Sequence, residues 1–236
     1  MMQRACDDVQ TSRSNSGERM FVGHFAVALA GKKAAPRASL GTLVMAAQWL
    51  DLLWPIFLLL NLEQVRPAPG ITKFTPFDFV SYPWTHSLAC VLGWAVVFGG
   101  VYFAVKRFGR ESWVLGALVV SHWILDWLTH RPDLPLYPGG PKVGLGLWNS
   151  IGGTLAVELL IFCMGSYVYL TTTRAKDKIG SWALWAFLWF LLVMYLVSTF
   201  GQTVPDQKQL GWGGLAMWMF VPWAYWIDRH RLVRAA

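Results

Sequence analysis

Charge is what this chain of 236 residues has least of: Asp, Glu, Lys and Arg together make up 14%, where a soluble globular domain carries about 25%. That excludes an ordinary soluble domain, and an apolar share of 55% excludes a disordered chain. Cysteine is scarce as well. Cys6, Cys90 and Cys163 show no C-x-x-C spacing, so neither a disulfide framework nor a cysteine zinc site is indicated. The H-E-x-x-H, G-x-S-x-G, P-loop and Rossmann glycine patterns are all missing from the sequence, which removes the zincin, serine-hydrolase and nucleotide-binding readings.

What is present is apolar sequence in long runs. Segments 21–31, 39–61, 84–105, 112–130, 151–172, 181–200 and 211–227 are nearly free of charge, and all but the first reach or approach the ~20 residues that cross a bilayer as a helix. A membrane β-barrel would instead show short alternating segments. The expected fold is all-α, a polytopic membrane bundle of about six full spans plus one short N-terminal helix. Residues 1–19 are polar and unpatterned, and Met20 directly precedes the first apolar run. They read as a disordered or misannotated extension to a single transmembrane domain over 20–236. The run ending in Ala28-Leu29-Ala30 also has the outline of a signal peptide.

The net charge of +7 does not point to nucleic acid, because the basic residues sit in short clusters between apolar segments. Lys32, Lys33, Arg37, Lys106, Arg107, Arg110, Arg174, Lys176, Lys178, Arg229, Arg231 and Arg234 fall in alternate connections; the others hold only Arg66, Lys73, Arg131, Lys142 and Lys208. The positive-inside rule then places the C-terminus on the cytoplasmic side and the long connections 62–83 and 131–150 on the outer side. Lipid is the expected surrounding partner.

The polar residues inside the spans carry the chemistry. Asp51, Asp126 and Glu158 are the acids there, with no Lys or Arg among them; an intramembrane acid is a functional-site hypothesis by default. His24, His86, His122 and His130 lie in or at the ends of spans. Counting about 1.5 Å of rise per residue, all seven fall in the outer half of the membrane, which scattered structural residues have no reason to do. His122, Asp126 and His130 follow one another at i, i+4 and i+8 and so line one helix face. His-x-x-x-Asp presents an imidazole nitrogen and a carboxylate oxygen to one cation, and zinc accepts both. A hydrogen-bonded interhelical pair and a proton relay use the same spacing, so a proton-coupled or cation transporter stays open beside an enzyme.

The stretches FVGHFAVALAGKKA (21–34), WLDLLWP (49–55), WTHSL (84–88) and SHWILDWLTH (121–130) resemble the YdjM-like family of LexA-regulated bacterial inner-membrane proteins. These are described as metal-dependent hydrolases, an activity itself inferred from motifs, and the resemblance covers roughly residues 20–160. The order His, Asp, His, His-x-x-x-Asp is also similar to the zinc-dependent phospholipase C and P1-type nuclease group. Those enzymes hydrolyse phosphoesters with a zinc cluster. The resemblance implies His24, Asp51, His86, His122 and Asp126 as ligands of one or two Zn2+ ions, with Asp126 a bridge. Where that group has His-x-x-x-Glu, this chain has Thr154-Leu155-Ala156-Val157-Glu158, so a third ion is not implied. Asp126 or Glu158 would act as general base, and His130 and Glu158 would be additional ligands or supports. The implied activity is hydrolysis of a lipid phosphoester or diphosphate. A lipid amidase resembling the seven-helix alkaline ceramidases is the third expectation.

Overall fold

The computed structural model describes residues 22–201 and 204–234, so the expectation for residues 1–19 lies outside the described residues. Ten α-helices follow in order: α1 Val22–Ala34, α2 Leu40–Ala47, α3 Trp49–Leu59, α4 Pro83–His86, α5 Leu88–Lys106, α6 Gly109–Thr129, α7 Ile151–Thr172, α8 Lys178–Phe200, α9 Gln207–Gly214 and α10 Phe220–Arg229. Three two-stranded antiparallel ribbons join them: β1 Gln64–Pro67 with β2 Phe77–Ser81, β3 Leu134–Pro135 with β4 Lys142–Val143, and β5 Thr173–Ala175 with β6 Arg231–Val233.

Helices α5, α6, α7 and α8 are long and apolar enough to cross a membrane, and the α2–α3 pair makes a fifth candidate, broken by a 56° bend. Among the described residues, then, four to five of the six expected spans are found. Segment 211–227 is where the expectation and the structure differ: it divides into the end of α9, a 3₁₀ turn over Leu215–Met219 and the ten residues of α10. Gly211, Gly213 and Gly214 cluster at this break, and each glycine costs a helix about 1 kcal/mol relative to alanine. Gly211 also lies where a Cβ would come within 2.8 Å of Leu59, so close packing on α3 outweighs helix propensity there. Asp206 starts α9 with a reciprocal capping box to Gln209.

Short, buried α1 is the centre of the bundle, packed on α7, α2 and α6. The Ala28-Leu29-Ala30 run lies within it, with Ala28 and Leu29 fully buried. Its closest neighbour is α7, where a side chain on Gly165 would overlap the Ala26 carbonyl. That approach brings the backbone N–H of Gly23 to Glu158 Oε2 at 2.9 Å. The α5–α6 hairpin is also close: a Cβ on Gly99 would come within 2.8 Å of the Ser112 carbonyl oxygen. Arg107 makes its turn in the left-handed region, with φ 59°.

The connections gather at two ends, as the charge pattern pairs them. At the basic end, Lys32 Nζ meets Asp228 Oδ1 at 2.8 Å, Arg37 lies 5.0 Å over the Phe108 ring, and Lys176 Nζ donates to the Arg229 carbonyl. At the other end the long connections 62–83 and 131–150 pack on each other. Phe74 N–H donates to the Trp148 carbonyl at 2.9 Å, and the Arg131 guanidinium meets Asp78 Oδ1 at 2.6 Å.

Candidate metal centre

Four elements deliver side chains to one point beneath the packed connections. Helix α1 brings His24, and α6 brings His122 and Asp126, one turn apart on its buried face. Asp51 comes from the first turn of α3, just after the bend at Gln48. His86 ends the single turn α4, which Ser87 separates from α5 by capping the latter through Cys90 N–H. The bend and the isolated turn both depart from continuous spans, and both point a polar side chain inward.

The five residues His24, Asp51, His86, His122 and Asp126 meet. His24 Nε2 lies 3.4 Å from Asp126 Oδ1. His122 Nε2 lies 3.4 Å from Asp126 Oδ2 and 3.6 Å from Asp51 Oδ1. His86 Nε2 lies 3.5 Å from Asp51 Oδ1 and 3.7 Å from Asp126 Oδ2. Two overlapping groups of three could each hold an ion: His24, His122 and Asp126, and Asp51, His86 and His122.

These separations discriminate between chemistries. A charge-assisted N–H···O bond is about 2.8 Å long. Two ligands about 2.05 Å from a tetrahedral zinc ion stand about 3.3 Å apart. The observed 3.4–3.7 Å is long for the first and close to the second. His122 Nδ1 lies 2.7 Å from the Ala47 carbonyl, which only accepts, so that nitrogen carries a proton. In the neutral ring Nε2 turns a lone pair towards two carboxylates, where a cation could sit between them. Both His122 Nε2 and Asp126 Oδ2 are buried without a hydrogen-bond partner. A carbonyl orienting a ligand imidazole in this way is a recurrent support of metal sites.

Glu158 stands beside this group rather than within it. It is buried, its Oε2 accepts from Gly23 N–H next to His24, and its Oε1 has no hydrogen-bond partner. His130 lies in a separate buried network. Its Nδ1 is 2.9 Å from Asp133 Oδ1, which also accepts from the Tyr82 hydroxyl at 3.1 Å, while Arg131 Nε donates to Asp133 Oδ2 at 3.0 Å. Burial pushes the Asp133 carboxyl up, but hydrogen bonds from His130 and Tyr82 and the Arg131 charge outweigh it and hold the group below its ordinary value. Burial, then the neighbouring Asp133 and Asp126 carboxylates, raises the Tyr82 phenol well above its own.

Two acids of this region were not among the sequence candidates. Asp133 was one, and Glu63, fully buried just after α3, was the other. Burial raises the Glu63 carboxyl, against the opposing pull of His86 and of hydrogen bonds from Thr85 and Trp84. Both follow the ends of apolar segments, where an acid ordinarily faces water, so nothing in their spacing marked them. A pocket of about 80 Å3 leads to Asp51 between Trp54, Phe77, Phe79 and Trp148.

Among known proteins, no family model, no curated protein and no solved structure matches this chain. The likeness to the YdjM-like family thus rests on the motifs alone, and the centre rests on its own geometry.

Proposed function

We propose that this chain is a membrane-embedded, zinc-dependent hydrolase of a lipid phosphoester or diphosphate. The observation that carries the reading is the meeting of three histidines and two aspartates at the edge lengths of a zinc coordination shell. His24, Asp51, His86, His122 and Asp126 would hold one or two ions. Bound zinc lowers the pKa of water towards about 7 and polarises a phosphoryl oxygen.

The residues divide the remaining work. The two Asp126 oxygens face different histidines, which suits a bridge and leaves neither oxygen for proton transfer. Glu158, with Oε1 unpartnered beside the group, is the proton acceptor. The aromatic pocket reaching Asp51 receives the apolar part of the substrate next to its headgroup and excludes water from the bond that breaks. The basic end would face the cytoplasm of a bacterial inner membrane by the positive-inside rule, leaving the centre towards the outer leaflet. The motif resemblance supports both the ligand set and the location.

The test is a lipid panel containing phosphoester, diphosphate and amide substrates, offered to zinc-loaded protein in detergent. Release of a phosphorylated headgroup, abolished in Asp126→Ala, supports the proposal. Amide cleavage alone would favour the ceramidase-like reading. No hydrolysis, with pH-driven cation flux in proteoliposomes, would favour transport by the same acids and histidines.

A further inference from the structure

We propose that Glu63 is a positioning residue that sets the tautomer of His86 through the hydroxyl of Thr85. Glu63 Oε1 accepts the backbone N–H groups of Trp84 at 2.8 Å and Thr85 at 2.9 Å. Its Oε2 accepts the Thr85 hydroxyl at 2.7 Å. All three residues apart from Trp84 are buried: Glu63 and Thr85 are 0% exposed and His86 is 5% exposed.

The direction of the chain follows from the donor inventory. An ionised carboxylate only accepts, and a hydroxyl has a single proton to give. Thr85 spends that proton on Glu63. Towards His86 Nδ1, 2.7 Å away, its oxygen can therefore only accept. A neutral His86 ring then carries its proton on Nδ1, which leaves the lone pair on Nε2. Nε2 is the atom that faces Asp51 and Asp126. A carboxylate at the start of the 62–83 connection thus makes the imidazole just past its far end a ligand rather than a donor. The hydrogen-bond chain stands on its own geometry; its consequence for metal rests on the function proposed above.

Glu63→Gln reverses the chain with little change of shape. Oε1 keeps both backbone bonds, but the amide nitrogen now donates to Thr85. The Thr85 proton then turns to His86 Nδ1, and the ring proton moves to Nε2. The experiment has two readouts on detergent-purified full-length protein: 15N NMR of labelled histidine in metal-free samples, and affinity for zinc ion alone by competition with a chelator. We expect an Nδ1–H tautomer for His86 in the wild type and Nε2–H in Glu63→Gln. Zinc affinity should fall about 10- to 100-fold in that variant, the range seen when an outer hydrogen bond to a ligand is lost. Thr85→Val should weaken zinc similarly, and Thr85→Ser, which keeps the hydroxyl, should restore it.

An unchanged His86 tautomer in Glu63→Gln overturns the proposal, as does wild-type affinity in Thr85→Val. If Glu63→Gln does not fold, the valine and serine variants decide. A folded wild type that binds no zinc removes the metal reading alone, and the tautomer comparison still supports or overturns the relay.

Discussion

His122 Nε2 and Asp126 Oδ2 stand 3.4 Å apart across one turn of α6, both buried and neither with a hydrogen-bond partner. Leaving either atom unmatched costs about 1–3 kcal/mol, and more for a charged group. An ion held as proposed would match both atoms at once, with the three further ligand-type residues around them.

The α1–α7 crossing is expected to support the centre directly. A methyl group on Gly165 would overlap the Ala26 carbonyl, two residues from His24. Gly165→Ala should destabilise the fold by about 1–3 kcal/mol, the usual cost of overpacking, and should weaken zinc binding by displacing His24. Thermal unfolding in detergent and zinc competition check both effects. Wild-type values in both would mean that the crossing is looser than described.

Glu158 separates binding from turnover. In Glu158→Gln the side chain keeps its shape and can still accept from Gly23 N–H, so zinc content should be unchanged. Turnover of the substrate found in the lipid panel should drop about 10²–10⁴-fold, the usual contribution of a general base. Retained turnover would remove Glu158 from the reaction; lost zinc would make it a ligand.

The Asp133 network predicts an acid sensitivity of the connections above the centre. Its folded carboxyl lies below the ordinary value of 3.8. The stabilisation is therefore complete at neutral pH, begins to fail as pH approaches 3.8, and is lost as pH falls through the lowered value. Asp133→Asn should be less stable at neutral pH and should show a flatter decline below about pH 4. Unfolding temperatures of the two proteins across that range supply the check, and parallel curves would contradict it.

The sequence was most legible where one rule governed it. Helices α5 to α8 follow the charge-free runs, because length and apolar composition alone decide such segments. The seven polar candidates were visible because acids and histidines are costly in apolar surroundings, and five of them do meet. The tally of six spans is met in part, with four to five among the described residues; local packing makes the difference, since a bend at Gln48 breaks 39–61 and the glycines from Gly211 onward divide 211–227. His130 was expected on the helix face of Asp126, but α6 ends at Thr129 and His130 is its extended C-cap, so the ring turns away from that face and pairs with Asp133. Glu63 was hidden because its partners, Trp84 and Thr85, lie some twenty residues on, which no local pattern encodes.

Metal content tests the central claim most directly. Elemental analysis of detergent-purified wild type should give about one or two zinc ions per chain, in line with the two overlapping three-residue groups. A folded His122→Ala/Asp126→Ala double variant should give none. A well-folded wild type without metal, or a double variant that retains it, would contradict the account.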